Sequence, residues 1–517
     1  MRGMIVAPQP LAAEEGLKVL RAGGNAVDAA ITTAFCQCVL DPQMCGIGGT
    51  GEMLVHLADG REEVIEFHAR AGSKVRGDQW EALFIREAAN RYGYVLEGWV
   101  NDVGYESVAV PGTVAGFAEA LHRFGTISWD QAIGPAIAFA RDGVPVSGFV
   151  HGFWTTDTGP DTVPPPLRIQ WTSEAKRIYT NDGKLKKLGE LLVQADFART
   201  LKRLAVEGPE DFYRGEIAER MAADLEANGS SVTNQDLAAY RAEITQPLRG
   251  TYRGLDVVTV GPPAGGPALL QMLNFLEQYE ISTLEWPSVD EARLRVAAMA
   301  WAFQDRKRWL ADPRFVNVPV DRLVGKGYAA SARDHPDTTH VCVVDAAGNA
   351  VSLTHSLGSG SGVVTPGLGF MYNNYLNSFD PRPGQNDSLA PGKTRSTMIT
   401  PAIVLSKGSL RAVIGASGAT RIVTGVLQTL LNLFDHRMTA VEAAAAPRID
   451  YQGDVVTAEA RIPLEVLDGL RDVGYRVTRR VLNYDVYFAR VQLIAVEDGV
   501  PRGASDPRKD GGVALMV

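Results

Sequence analysis

Three short turns constrain this chain more than any other feature of it. Asp59-Gly60, Ala346-Ala347-Gly348-Asn349 and Lys407-Gly408 each sit between two apolar, β-rich runs: Met53 to His56 and Val64 to Phe67, His340 to Asp345 and Ala350 to His355, Ala402 to Ser406 and Leu410 to Ile414. Turns this short join antiparallel neighbours, because a parallel pair needs a crossover of a dozen or more residues. Asp59-Gly60 predicts a type I′ hairpin.

Helical patterns surround these pairs. Leu11 to Leu20 stops at Gly23-Gly24, and Asn25 caps a second helix running to about Val39. Residues 73–243 read as mostly helical, broken by polar turns and the patch Val163-Pro164-Pro165-Pro166. A strand from Leu255 to Val260 leads through Gly261-Pro262-Pro263-Ala264-Gly265-Gly266 into a helix from Pro267 to Glu277. That turn lacks the Walker lysine and the GxGxxG spacing, so it reads as a plain tight turn and not a phosphate cradle. Gly415-Ala416-Ser417-Gly418-Ala419 leads into a helix from Thr420 to about Phe434. Strands at Val455 to Ala458, Tyr475 to Val481 and Val491 to Val496 follow, with a helix from Pro463 to Val473 between the first two. No repeat recurs at a fixed period. The order predicts an α+β chain in which two antiparallel sheets carry helices on their outer faces.

Composition excludes several classes of function. With 51 Lys+Arg against 60 Asp+Glu and a pI near 5.5, no basic stripe is present to hold a nucleic-acid backbone. No run reaches the roughly 18 apolar residues of a membrane span, since Ala29 to Leu40 stops at Asp41-Pro42 and Ile422 to Phe434 stops at Asp435. The opening MRGMIVAPQPLAAEEG acquires charge too soon for a secretory segment, so a cytoplasmic location is expected. The four cysteines, Cys36, Cys38, Cys45 and Cys342, are too few to staple 517 residues, and Cys36-x-Cys38 lacks the spacing of a zinc knuckle. No metal and no cofactor are expected.

The chemistry centres on Asp337-Thr338-Thr339-His340. This run begins TTHVCVVDAAGNAVSLTHS and is followed by NNYLNSF, PGKTRSTMITPAIV, IGASGATRIVTGVLQ and GASDPRKDGG; nearer the start stand EEGLKVLRAGGNAVDAA, DPQMCGIGGTGEMLVH and SVAVPGTVAGF. In content and order these stretches resemble the γ-glutamyltransferase family of N-terminal-nucleophile (Ntn) hydrolases, nearly end to end. The resemblance implies a four-layer αββα sandwich and a chain that cuts itself before a threonine. Cleavage at Asp337-Thr338 divides it into residues 1–337 and 338–517, a heterodimer of its own two fragments; how many such pairs assemble is left open.

A threonine hydroxyl is a weak nucleophile at neutral pH and needs a base within hydrogen-bond reach; an α-amino group, with a pKa near ~7.7–8.0, serves when it sits on the same residue. The family pattern starts the small subunit two residues before the histidine, which points to Thr338 and leaves Thr339 as its rival. Ser356 falls where the family has a hydroxyl that orients the terminal amine. Gly418 and Ala419 match the two backbone donors of the oxyanion hole, a place suited to a glycine turn that opens a helix. The second of these is glycine in the family, and the alanine keeps its donor if its φ is negative.

The chain departs from the family where the acyl group binds. His68 stands at the place of the family's carboxylate-binding arginine, with Arg70 two residues later as the first candidate for a carboxylate clamp, although a structural ion pair explains Arg70 nearly as well. The paired serines correspond to Ser396 and Thr397. The two groups that meet an α-amino group correspond to Gly358 and Ser378, so both anchors are missing. A pocket without acceptors disfavours an ammonium group. The expected activity is therefore amide hydrolysis of a small carboxylate-bearing substrate through an acyl-enzyme, in the manner of the family's oxamate amidohydrolase-like branch. Hydrolysis or transfer of γ-glutamyl groups is the alternative, and an uncleaved binding scaffold is the alternative of another class.

Overall fold

The computed structural model describes residues 2–88, 93–328 and 339–515. In chain order the principal elements begin with β1 (Met4–Ala7), α1 (Pro10–Arg21), α2 (Ala26–Leu40), β2 (Thr50–His56) and β3 (Glu62–Phe67). The middle region adds α3 (Thr113–Phe124), α4 (Trp129–Asp142), α5 (Ala195–Glu207), β4 (Glu243–Thr245), β5 (Leu248–Tyr252), β6 (Leu255–Thr259), α6 (Gly266–Leu276) and α7 (Val289–Trp309). The last third carries β7 (Thr339–Val344), β8 (Ala350–Ser356), β9 (Ala402–Ser406), β10 (Ser409–Ser417), α8 (Arg421–Phe434), β11 (Arg490–Glu497), β12 (Val500–Ser505) and β13 (Gly512–Leu515).

Two antiparallel sheets form the centre, in the orders β4-β3-β2-β8-β7-β1-β13 and β5-β6-β9-β10-β11-β12. Residue alternation gives each sheet two apolar faces. Val6, Leu54, Val64 and Cys342 of the first sheet pack against Val258, Ile403, Val413 and Ile494 of the second. The opposite row of the first sheet, including Ile5, Met53, Ile65 and Val341, packs under α1 to α5. Val257, Val404, Ile414 and Leu493 pack under α6, α7 and α8. The result is the αββα sandwich that the resemblance implies.

Local chemistry sets several boundaries. The Asn25 side chain accepts hydrogen bonds from the Val27 and Asp28 amides while the Asp28 carboxylate accepts one from the Asn25 amide, which fixes the start of α2. The Asp59-Gly60 turn is not type I′: Gly60 has φ +87° but Asp59 is not at positive φ, and the Gly60 amide donates to Leu57 O. Type I′ requires positive φ at both central residues, and Lys407-Gly408 meets that condition with φ +50° and +79°. Residues 73–243 hold short strands among their helices, such as Phe84–Glu87 and Tyr94–Leu96. The strand expected over Tyr475–Val481 is limited to Val477–Arg479. Among the described residues no helix is long and apolar enough to cross a membrane.

Candidate active site

Contacts between the sheets show which strand ends meet. The Ser352 hydroxyl on β8 donates to the Ile414 carbonyl on β10 at 3.0 Å. Two residues further along β8, Thr354 Oγ1 lies 2.7 Å from His340 Nδ1, and that imidazole closes on Gly415, where a Cβ would lie 2.2 Å from the ring. A step from Ser352 to Thr354 thus matches a step from Ile414 to Gly415, so both strands run toward the same end of the sandwich. There β8 finishes at Ser356 and β10 at Ser417, and β7 begins at Thr339, cross-strand from His355. Burial pushes the His340 imidazole down to about 3, so the ring between the sheets is neutral at physiological pH.

The two processing residues, Asp337 and Thr338, lie outside the described residues. Thr339 belongs to the outward row of β7 with Val341 and Val343, which pack among the helices, and its buried Oγ1 has no hydrogen-bond partner among the described residues. Ser356 is buried, pairs with Thr50 across the β8–β2 ladder, and its Oγ accepts the Gly358 amide at 2.8 Å.

β10 continues three residues beyond the expected Ile414, because Gly415, Ala416 and Ser417 pair with Gln492, Val491 and Arg490. This extension delivers Gly418 and Ala419 directly to the end of the sandwich. Gly418 has φ +142°, and a Cβ there would lie 2.5 Å from Ala489 Cα. Ala419 has φ +67°, so the condition of a negative φ is not met; the backbone amide is present at either sign, and what the positive φ adds is strain. The left-handed region costs an L-residue about 1–2 kcal/mol, a strain that glycine avoids. Neither amide of the pair donates a hydrogen bond to a carbonyl among the described residues, and α8 starts two residues later.

The segment after β3 is fastened to the same end of the first sheet. The Ala69 amide donates to Thr50 Oγ1 at 2.8 Å, and Thr394 Oγ1 donates to the Ala69 carbonyl at 2.7 Å. Arg70 donates to Glu243 Oε1 at 2.6 Å and lies over the Tyr240 ring, while Arg314 pairs with Asp312. Arg70, Glu243, Asp312 and Arg314, together with Glu66 and His68, line a cavity of about 250 Å³. His68 is 5 % exposed, and burial lowers its pKa to about 3. Ser396 and Thr397 are buried nearby in the chain and engaged within the protein: Asp387 receives both the amide and the hydroxyl of Ser396, and Thr397 Oγ1 accepts the Ile399 amide.

A second cavity, of about 470 Å³, opens beside the Gly418-Ala419 turn and is lined in part by Phe149, Ser359, Arg421, Tyr487 and Arg490. Arg421 stacks over Tyr487 at 4.5 Å, and Arg490 donates to Ser417 Oγ at 3.2 Å. Sequence reasoning passed over these residues. Only Arg421 carried a local signal, two places after the turn. The ending GASDPRKDGG proves to be structural: Arg508 pairs with Glu459 and Asp506, Arg448 with Asp506, and Lys509 with Asp41 at the end of α2, all buried.

The stacked sheets, their outer helices and the convergence of these strand ends define an Ntn-hydrolase architecture. The sequence model of the gamma-glutamyltranspeptidase family matches residues 12–516, and the chain belongs to that family. It is 38% identical over 499 residues to an acylase ACY 1 proenzyme from Pseudomonas sp. (strain V22), spanning 92% of this chain and 88% of the relative. A glutathione hydrolase proenzyme from Escherichia coli (strain K12) is 32% identical over 544 residues, spanning 98% and 90% of the two chains. The crystal structure of a cephalosporin acylase from Bacillus halodurans superposes with a TM-score of 0.89 at 28% identity, over 99% of this chain and 95% of that one.

Proposed function

We propose that this protein is a self-processing amidohydrolase that cleaves the Asp337–Thr338 bond and uses Thr338 as its nucleophile. The observation that carries the reading is the meeting of the β7 start, Ser356 and the Gly418-Ala419 turn at one end of the sandwich. Thr338 is covalently next to Thr339, whose cross-strand partner His355 precedes Ser356. The α-amino group freed by cleavage takes the proton of the Thr338 hydroxyl, the hydroxyl oxygen attacks the substrate carbonyl, and the amine leaves with that proton. Water then releases the acid from the acyl-enzyme. Ser356 orients the terminal amine, and the amides of Gly418 and Ala419 stabilise the oxyanion.

Arg70 is the proposed carboxylate clamp. Its partner Glu243 sits at the rim of the cavity, with 41% of its side chain exposed, so an incoming carboxylate competes with a hydrated acid and not with a buried one. The absence of an α-amino anchor is supported by Gly358, which has φ +70° and no side chain to offer. Release of ammonia from oxamate-like amides, compared with release of p-nitroaniline from a γ-glutamyl anilide, tests the substrate class: the reading expects the first to dominate, and preference for the anilide overturns it.

A further inference from the structure

Glu52 and Glu66 stand directly opposite each other in the β2–β3 ladder, on the face between the sheets. Like charges at directly paired positions destabilise a sheet, and burial makes the conflict worse. Glu52 is fully buried, and neither of its carboxylate oxygens has a hydrogen-bond partner among the described residues. The same holds for both ring nitrogens of His68, whose Nε2 lies 3.8 Å from Glu52 Oε1. Three arginines act on His68 through their charge, of which Arg70 is bound to Glu243, Arg314 to Asp312, and Arg395 lies over the Tyr375 ring.

We propose that Glu52, Glu66 and His68 form a binding site for one divalent transition-metal ion, with Zn²⁺ as the ion whose ligand preferences they match. One donor atom from each residue lies within 4.8 Å of the other two. In the tetrahedral arrangement that zinc prefers, oxygen and nitrogen ligands at 2.0–2.2 Å from the ion lie about 3.3–3.6 Å apart, so the set has to draw in by up to about 1.3 Å. Two carboxylates balance the charge of the ion, and the imidazole favours zinc over magnesium or calcium. Glu66 and His68 also line the 250 Å³ cavity, which gives the ion an entry and leaves a coordination position facing it. The surroundings already fix the ligands: Thr245 Oγ1 donates to Glu66 at 2.6 Å, and Tyr240 OH donates to the His68 carbonyl at 2.8 Å.

A second group, Cys38, Cys45 and His355, has similar spacing. Two of its members already have partners, Cys45 Sγ directed at the Asp41 carbonyl and His355 Nε2 at Gln37, and only His355 Nδ1 is a buried nitrogen without a partner among the described residues of this group. The expectation of no metal drew on cysteine spacing, whereas this site is built from carboxylates and one histidine.

The test is zinc binding to the full chain after EDTA treatment and transfer to metal-free buffer, read by elemental analysis, calorimetry and thermal shift. The proposal expects one Zn²⁺ per chain, bound at micromolar or lower Kd, and a zinc-dependent rise in Tm. Glu52→Gln and His68→Asn should each weaken binding at least tenfold and abolish the rise in Tm, with circular dichroism confirming that both variants fold. A Cys38→Ser/Cys45→Ser double variant should keep one Zn²⁺. No zinc bound by the parent, undiminished binding in Glu52→Gln and His68→Asn, or loss confined to the cysteine variant overturns the proposal. Binding is expected unchanged in Thr338→Ala, so the outcome does not depend on self-cleavage.

Discussion

His340 occupies the space that a side chain at position 415 would need: a Cβ on Gly415 would lie 2.2 Å from the imidazole Cε1 and 2.5 Å from Nε2. The glycine lets the two sheets close over a buried neutral histidine, and that contact sets the relative advance of β8 and β10 on which the site depends.

Gly415→Ala is therefore expected to push His340 off Thr354 and separate the strand ends. Overpacking of this kind costs typically about 1–3 kcal/mol. Urea unfolding should show the loss, and self-cleavage should slow in parallel. Parent stability with parent processing contradicts the proposed role of the contact.

Ala419 is the reverse case. Ala419→Gly removes the left-handed strain of about 1–2 kcal/mol, offset in part by the greater freedom of glycine in the unfolded chain. Stability should stay level or rise by up to about 1 kcal/mol, and kcat should remain close to the parent value because the backbone donor is kept. A tenfold fall in kcat would show that the alanine side chain itself has a role in the reaction.

Arg70→Ala should raise KM for a carboxylate-bearing amide by tenfold or more and leave kcat nearly unchanged, the signature of a contact made equally in ground and transition states. Steady-state kinetics on the processed protein decides this. Unchanged KM would reduce Arg70 to a structural partner of Glu243.

Asp450 gives a pH test of the fold beneath α8. Burial raises its pKa to about 6, against Arg421 and the hydrogen bonds from Thr424, Gln452 and Tyr487, which act in the opposite direction. The folded chain holds this proton more tightly than the unfolded chain, so the stabilisation is complete below the ordinary carboxylate range and is lost as pH rises through 6. The change amounts to about 2–3 kcal/mol. Asp450→Asn should remove this component from the stability curve measured between pH 4 and 7. A curve identical to the parent's contradicts the assignment.

The two sheets were legible in the sequence because Ala346–Asn349 and Lys407-Gly408 punctuate long apolar strands, and α2 because Asn25 and Asp28 form a capping box. The final three residues of β10 were not, since Gly415, Ala416 and Ser417 have little strand preference of their own and are held by pairing with Gln492, Val491 and Arg490. The same limit hid the cavity beside the turn, where Arg421 meets Tyr487 from far along the chain. Glu52 carried no signal either. In an alternating strand a glutamate reads as solvent-facing, and only the second sheet makes its row an interior one.

The central claim is that this chain cuts itself before Thr338 and uses the exposed residue as nucleophile and base together. N-terminal sequencing of the smaller fragment from purified protein tests it most directly. The expected result is a 180-residue fragment beginning Thr-Thr-His, absent in Thr338→Ala. A fragment beginning at any other residue, or a fully active chain that remains uncut, contradicts the account.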